Sequence, residues 1–271
     1  MALKIYGPKA TVNFWETHWQ THWQTQKLKK FFSSTYQSPL LPILLKYLPK
    51  NGKILEAGCG PGRWVFTLSQ KSYQIIGIDS AKETIQAAKK AFPKLNLKTA
   101  NLLNLPFKKA SFKSVICLGV LEHIKSPKKL NLALKEINQV LKSKGLLFCS
   151  VPYYNPIRVI KNFLNLYPKS GRFYQYAFGA REFSQRLENQ GFKILKIIPF
   201  DSYIGIKQEL FPKLTAKIYK KLKPGNSPPV NKKRKKSLKK YLFFILKKIL
   251  ETYPSRLVFS HMLLFIIKKE I

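Results

Sequence analysis

The chain has 271 residues and a formal net charge of +38, because 50 Lys and Arg side chains oppose only 12 Asp and Glu. This length suits one large α/β domain with an additional segment. A core of that size is stable without disulfide bonds. The charge excludes a neutral or acidic surface. It indicates either a lysine-rich composition spread over the whole surface or attraction to an anionic partner, nucleic acid or membrane.

Cysteine usage and hydropathy point to a reducing compartment outside the membrane. Cys59, Cys117 and Cys149 form no CxxC pair, so the sequence predicts neither a disulfide framework nor a zinc site. No apolar run approaches the ~18 residues of a membrane span. The first twenty residues have no apolar signal-peptide core. We therefore expect a cytoplasmic protein.

Residues 1–50 are predicted to form a helical segment, or lid, ahead of the main domain. Trp15, Trp19 and Trp23 recur at every fourth residue and therefore share one face of a helix. A stripe of this kind is more often packing than chemistry, so we interpret it as a packing face.

Residues 51–204 alternate short apolar strands with helices and form the predicted core domain. The predicted strands are 53–57, 74–78, 95–100, 113–119, 145–151 and 192–199; the predicted helices are 62–70, 80–91, 181–189 and one that opens at Ser126 and stops at Gly145. Ser80–Glu83 has the spacing of a capping box, and Ser126 precedes a proline at the first helical position. The alternation favours a parallel sheet covered by helices on both faces.

Three further stretches depart from this alternation. Residues 153–180 contain eight aromatic side chains and are predicted to form a loop-and-helix insertion over the carboxyl ends of the strands. Residues 205–257 form a basic insertion, in which the apolar and Lys positions of 238–250 predict an amphipathic helix. This helix either lies in a membrane interface or docks on the domain. Residues 258–271 are predicted to hold the last strand of the core.

The most informative stretch is Lys53–Trp64, KILEAGCGPGRW. Gly58, Gly60 and Gly62 follow a short apolar strand at every second position, and a turn through glycines brings bare backbone N–H groups close to a ligand. The GxGxG spacing differs from the GxGxxG of dinucleotide sites. Glu56, two places before the first glycine, suits a ligand with positive charge, such as an ammonium or a sulfonium.

With these residues in view, the chain resembles the class I methyltransferases that use S-adenosylmethionine, especially the small-molecule branch near the ubiquinone/menaquinone and sterol methyltransferases. The family's motifs occur in order: EAGCGPG, an acid ending the second strand, NLLNLPF, LGVLEHI, and KGLLFCSVP as the fifth strand. The resemblance covers about residues 50–200, and the final HMLLFIIKK is also similar. It implies a Rossmann-like, mostly parallel sheet of seven strands with helices on both faces.

The resemblance also implies a site for S-adenosylmethionine. The residues implied in cofactor binding are Glu56, Gly58, Cys59, Gly60, Gly62, Asp79, Ser80, Asn101, Leu102, Leu118 and Gly119. Asp79 would accept both ribose hydroxyls, since one carboxylate offers two oxygens; its alternative role is to stabilise the start of a helix. Asn101, where the family usually has Asp, would accept from the adenine amino group.

The motif LGVLEHI raises the question of a metal and of a general base. In some quinone methyltransferases with this motif, an upstream carboxylate helps the Glu and His to bind a metal, but that position is Gly119 here, so no metal is expected. His123 is interpreted as a general base, a substrate contact or a structural part of the loop. Tyr153 and Tyr154 are the other candidate catalytic residues.

The leading functional hypothesis is methyl transfer to a small, lipophilic or membrane-presented acceptor, with peripheral contact at the anionic inner face of a membrane. One alternative is an RNA methyltransferase, which the charge favours. The sequence lacks the N/D-P-P-Y/F motif of adenine and glutamine N-methyltransferases after the fourth strand, so nucleic acid is the less favoured acceptor. Another alternative is a non-catalytic basic adaptor for membrane or nucleic acid that retains a cofactor fold.

Overall fold

The computed structural model describes residues 2–7, 10–20, 25–35, 38–168, 170–202, 257–258 and 260–270. The chain divides into two compact units. The first comprises Met1–Pro152, Pro168–Ile198 and Leu264–Ile271, and the second comprises Tyr153–Tyr167 and Pro199–Leu263. Most of the basic insertion, including the predicted amphipathic helix 238–250, lies outside the described residues.

A seven-stranded sheet forms the centre of the fold. The strands of the described chain are β1 Leu3–Tyr6, β2 Ile54–Ala57, β3 Ile75–Asp79, β4 Leu97–Thr99, β5 Phe112–Leu118, β6 Leu141–Pro152, β7 Phe173–Ala177, β8 Phe192–Phe200 and β9 Met262–Lys269. The sheet has the order β4-β3-β2-β5-β6-β9-β8, and its β2–β3, β2–β5, β3–β4 and β5–β6 pairs are parallel. The predicted Rossmann-like, mostly parallel sheet is therefore confirmed.

The described part of the chain also forms helices. They are α1 Val12–Gln20, α2 Thr25–Ser34, α3 Leu40–Tyr47, α4 Arg63–Ser69, α5 Lys82–Ala91, α6 Pro127–Val140, α7 Pro156–Phe163 and α8 Ala180–Glu188. α6 begins as its sequence predicts, because the Ser126 hydroxyl accepts a hydrogen bond from Lys129 N at 3.4 Å and a proline follows at the first helical position. Its apolar stripe, including Leu130, Leu134 and Ile137, is buried.

The position of the site follows from the strand order. The chain runs outward from β2 through β3 to β4, and then returns to place β5 on the other side of β2. Between β2 and β5 the connections therefore leave in opposite directions, and a crevice forms at the carboxyl ends of these two strands. Open α/β sheets bind their ligands at this switch point.

Two local predictions are wrong in detail. The Ser80–Glu83 capping box does not form: α5 has Ala81 as its N-cap residue without a side-chain cap, and Asp79 Oδ1 accepts from Ala81 N at 2.9 Å. The N–H of Glu83, which the serine was predicted to cap, donates instead to Glu16 Oε1 at 3.3 Å. β6 begins at Leu141 and not at Gly145, because the backbone becomes extended as soon as α6 ends.

A second, two-stranded sheet was not predicted. β1 lies in the segment expected to be helical, β7 lies in the segment expected to be loop and helix, and the two strands pair antiparallel from Leu3–Ala177 to Tyr6–Phe173. Each strand has only four or five residues, and about 170 residues separate the two in the sequence. The pairing is therefore a tertiary interaction that no local sequence pattern predicts.

Candidate active site

The glycine loop after β2 adopts backbone angles that only glycine takes up readily. Gly58, Gly60 and Gly62 have φ values of 79°, 53° and 87°. A Cβ on Gly58 would lie 2.3 Å from Val120 Cγ2, so a larger residue would collide with the segment that follows β5. The loop is also fixed to β3, because the N–H groups of Gly58 and Cys59 donate to Ile78 O at 2.8 and 2.9 Å. The loop backbone is therefore bare and held in place.

The Asp79 carboxylate organises the same loop from the end of β3. Asp79 Oδ2 accepts from Gly60 N at 2.8 Å, and Oδ1 accepts from Ala81 N at 2.9 Å. Burial raises the pKa of Asp79, and the backbone N–H groups of Ala81 and Gly60 oppose that rise. Each carboxylate oxygen retains a further lone pair, so the side chain can accept additional hydrogen bonds from a ligand.

Glu56 is a buried carboxyl group at the end of β2. Its Oε2 accepts from Val65 N at 3.1 Å, and Oε1 has no hydrogen-bond partner within the described part of the chain. Burial raises the pKa of Glu56 to about 8, although the nearby Arg63 guanidinium acts in the opposite direction. At neutral pH the carboxyl group therefore holds a proton that a cationic ligand would displace.

These groups surround one cavity of about 1180 Å³. A pocket for a drug-sized ligand measures roughly 300–1,000 Å³, so this cavity has room for a nucleoside cofactor and part of a second molecule. Ten of the eleven residues that the sequence analysis assigned to cofactor binding line it: Glu56, Gly58, Cys59, Gly60, Asp79, Ser80, Asn101, Leu102, Leu118 and Gly119. Residues from four separate loops thus meet at one site.

The remaining assigned residue, Gly62, does not line the cavity. A Cβ there would lie 2.9 Å from Leu97 Cδ2, so this glycine permits close packing against β4. Asn101 lines the cavity, but its Oδ1 already accepts from Leu103 N at 2.9 Å and so shapes its own loop. The predicted contact with an adenine amino group would use the second lone pair of that oxygen.

Aromatic side chains from the N-terminal segment form another wall of the cavity. Trp15 and Trp19 of α1 and Phe31 of α2 line it, and the rings of Trp15 and His123 are 4.8 Å apart. A Cβ on Gly60 would lie 3.0 Å from the Trp19 ring, which shows how closely α1 approaches the glycine loop. The tryptophan stripe is therefore part of the candidate site, whereas Trp23 lies outside the described residues.

His123 and Glu122 lie in the short 3₁₀ turn Leu121–His123 after β5. His123 Nδ1 lies 3.0 Å from Tyr174 O, which can only accept, so Nδ1 carries the hydrogen and Nε2 remains an acceptor. Burial lowers the pKa of His123, which favours the neutral ring. Glu122 is buried, its Oε2 has no hydrogen-bond partner among the described residues, and burial raises its pKa to about 8. His123 lines the cavity and Glu122 does not.

The other candidate catalytic residues lie elsewhere. Tyr153 and Tyr154 belong to the second unit and are not among the residues that line the cavity. Their roles stay predictions. Among the described residues, no three His, Cys, Asp or Glu side chains form a group that could hold a metal ion. No helix in the described part of the chain is long and apolar enough to cross a membrane.

Comparison with known proteins agrees with this geometry. A family model described as "Methyltransferase domain" matches residues 55–149. A protein of Mycobacterium tuberculosis named as a probable S-adenosylmethionine-dependent methyltransferase is 30% identical over 99 residues, which are 36% of this chain and 35% of that protein. A demethylmenaquinone methyltransferase of Lactococcus lactis is 32% identical over 125 residues, 43% of this chain and 48% of that protein.

A solved structure extends the likeness in fold. The S-adenosylmethionine-dependent methyltransferase of Methanosarcina mazei superposes with a TM-score of 0.56 at 20% identity, over 86% of this chain and 99% of that one. In sequence, the chain spans less than half the length of the two curated relatives above. The matched segment begins at β2 and ends in β6, so it contains the glycine loop, Asp79 and the turn with His123. Residues 55–149 are therefore a methyltransferase domain of the class that uses S-adenosylmethionine.

Proposed function

We propose that the whole chain transfers a methyl group from S-adenosylmethionine to a small, lipophilic acceptor that is presented at a membrane. The observation that supports this proposal is the composition of one cavity. It combines a bare glycine loop and two carboxyl groups on one part of its wall with tryptophan and phenylalanine rings on another. The first set suits a charged nucleoside, and the second set suits an apolar molecule beside it.

The residues present fit the cofactor chemically. Glu56 would face its ammonium group, because a buried carboxyl group with an unused oxygen gains most from a cationic partner. Asp79 would accept hydrogen bonds from the ribose hydroxyls through the lone pairs that Gly60 and Ala81 leave free. The cavity size and the glycines, where any Cβ would fill space or collide, leave the room that such a ligand needs. The cofactor supplies an activated methyl group on its sulfonium.

Because the methyl donor is already activated, the main task of the protein is alignment and the exclusion of water. Trp15, Trp19 and Phe31 would hold an apolar acceptor against the cofactor and keep water away from it. Neutral His123, with Nε2 as its acceptor nitrogen, would take a proton from the acceptor if methylation requires one to leave. This role of His123 is part of the proposal.

RNA is the second candidate acceptor, and the formal charge of +38 is the observation that favours it. A non-catalytic adaptor, which would not be an enzyme, is a third candidate.

One experiment distinguishes the three candidates. The full chain and labelled S-adenosylmethionine are incubated with a cell lysate, which is then fractionated into lipid, RNA, protein and small molecules.

Label in the lipid fraction or among apolar small molecules is the expected result. Label in RNA would contradict the proposed acceptor, and absence of both label and cofactor binding would favour an adaptor. The control is Asp79→Ala, which removes the carboxylate that fixes the loop and faces the cavity. Label that still appears with this variant comes from other enzymes of the lysate and not from the added protein.

A further inference from the structure

α7 presents large apolar side chains to solvent. Phe163 is 82% exposed and Ile160 is 58% exposed; Leu166, just beyond the helix, is 61% exposed. Of the ten large apolar residues that are exposed in the described part of the chain, five lie in this short stretch: Val159, Ile160, Phe163, Leu164 and Leu166. We call these five residues the α7 face. Such clustering marks an interaction surface, whereas single exposed apolar residues do not.

The helix is turned the opposite way to an ordinary surface helix. Val159, Ile160, Phe163 and Leu164 share one side by the helical period, and this side faces water. Arg158, which lies off that side, is only 1% exposed. A globular protein with no use for this face would bury the apolar side and expose the arginine.

Polar contacts within the second unit hold this orientation. Arg158 Nη1 donates to Tyr153 O at 2.8 Å, and Arg158 Nη2 lies 2.8 Å from His261 Nδ1. Asn155 caps the helix by accepting from Arg158 N, and its Nδ2 donates to Ser260 O at 2.9 Å. Because turning α7 would break these buried hydrogen bonds, the apolar face is held outward.

The charge around the α7 face indicates its partner. No Asp or Glu occurs in Tyr153–Tyr167, the segment of the second unit that contains α7, whereas Lys161 lies within it. Lys161 Nζ lies 4.8 Å from the centre of the Tyr167 ring, so a cation and an aromatic ring lie together beside the apolar residues. Apolar side chains flanked by lysine and tyrosine are typical of surfaces that enter the interface of an anionic bilayer.

We propose that the α7 face docks on the surface of an anionic lipid bilayer, with Ile160, Phe163 and Leu166 entering the boundary between headgroups and acyl chains. The inference rests on the proposed function in one respect, namely that a bilayer is where a lipophilic acceptor is met. Docking itself requires neither cofactor nor acceptor, and so it can be measured separately.

The test uses the full chain and co-sedimentation with vesicles made of equal parts phosphatidylglycerol and phosphatidylcholine. We expect the wild-type chain to sediment with these vesicles. The double variant Ile160→Ser and Phe163→Ser should have a partition coefficient at least about tenfold lower, because two large apolar side chains no longer leave water. A matched control, Leu132→Ser and Leu195→Ser, removes exposed leucines elsewhere and should change partitioning by less than about twofold.

Several outcomes would overturn the proposal. One is failure of the wild-type chain to sediment with the anionic vesicles, and another is sedimentation of the α7 double variant equal to that of the wild type. If a deletion of residues 205–250 abolishes sedimentation while the double variant retains it, membrane contact belongs to the basic insertion. If the double variant instead only converts a dimer into a monomer in light scattering, the α7 face binds a second copy. Unchanged S-adenosylmethionine binding by the double variant separates each of these results from a failure of the methyltransferase proposal.

Discussion

Glu56 should make cofactor affinity depend on pH. Its carboxyl group is buried, accepts one hydrogen bond from Val65 N, and has a pKa of about 8. In the free protein near neutral pH it is therefore protonated. A bound ammonium group favours the ionised form, so binding releases a proton from Glu56 and becomes stronger as the pH rises toward 8.

The size of the effect follows from the pKa. If only the ionised form binds the ammonium group well, each pH unit below the pKa weakens the apparent affinity about tenfold, which is about 1.4 kcal/mol. Between pH 7.5 and pH 5.5 the dissociation constant should therefore rise roughly 80-fold for a pKa near 8. A carboxylate whose pKa is depressed by the fold would already be ionised throughout this pH range, so its contribution to cofactor affinity would not change with pH there.

The assay is isothermal titration calorimetry with S-adenosylhomocysteine between pH 5.5 and 7.5, where an α-ammonium group, with a pKa near roughly 8, remains largely protonated. Repeating each titration in two buffers of different ionisation enthalpy counts the proton that is released. Glu56→Gln keeps an oxygen to accept from Val65 N but cannot ionise, so its affinity should vary much less with pH. Methylthioadenosine, which lacks the amino acid group, is the matched control ligand.

Two results would refute this reasoning. Affinity that is flat with pH in the wild-type chain would mean that Glu56 does not change its protonation when the cofactor binds. A pH dependence that is equally steep in Glu56→Gln would assign the proton to another group, of which Asp79, with a raised pKa in the same cavity, is the first to examine.

Three further predictions concern single residues in and beside the site. Gly58→Ala should lower the free energy of unfolding by about 2–4 kcal/mol in urea titrations, because of the positive φ and the clash with Val120, and adding Val120→Ala should restore part of the loss. The free energy of unfolding of the wild-type chain should fall as the pH rises from 5 toward 8, because Glu122 ionises at a lower pH in the unfolded chain than in the folded one. Glu122→Gln should remove up to about 4 kcal/mol of this fall. Asp79→Ala should weaken S-adenosylhomocysteine binding about 100-fold in calorimetry, because hydrogen bonds to a charged group are lost.

The sheet could be predicted because each of its strands carries a local signal. Apolar runs such as 54–57 and 75–79 alternate with helices whose starts and stops are marked, as at Ser126, and parallel strands then follow from the connections. The pairing of β1 with β7 could not be predicted in this way. Its strands are short and distant in sequence, so neither has a pattern that identifies the other.

The glycine-loop side of the cavity could be predicted for the same reason, since glycines and acids follow strand ends directly. The aromatic side could not. Trp15 and Trp19 have the spacing of one helix face, but spacing does not reveal what that face meets, and the rings turn out to line the cavity beside Gly60 and His123. Tertiary placement of α1 decides this, and the sequence carries no separate signal for it.

Asp79 combines a proposed role in ligand binding with a role in holding the glycine loop. The carboxylate is predicted to bind a ribose, and in the structure it also accepts from Gly60 N and so holds the glycine loop. Loss of cofactor binding in Asp79→Ala would therefore have two physical causes, a lost ligand contact and a loosened loop. Asp79→Asn separates them: one amide oxygen can still accept from Gly60 N, whereas the charge and one acceptor are gone. If the thermal stability of the free protein is kept in Asp79→Asn while affinity falls, the contact with the ligand is the larger cause.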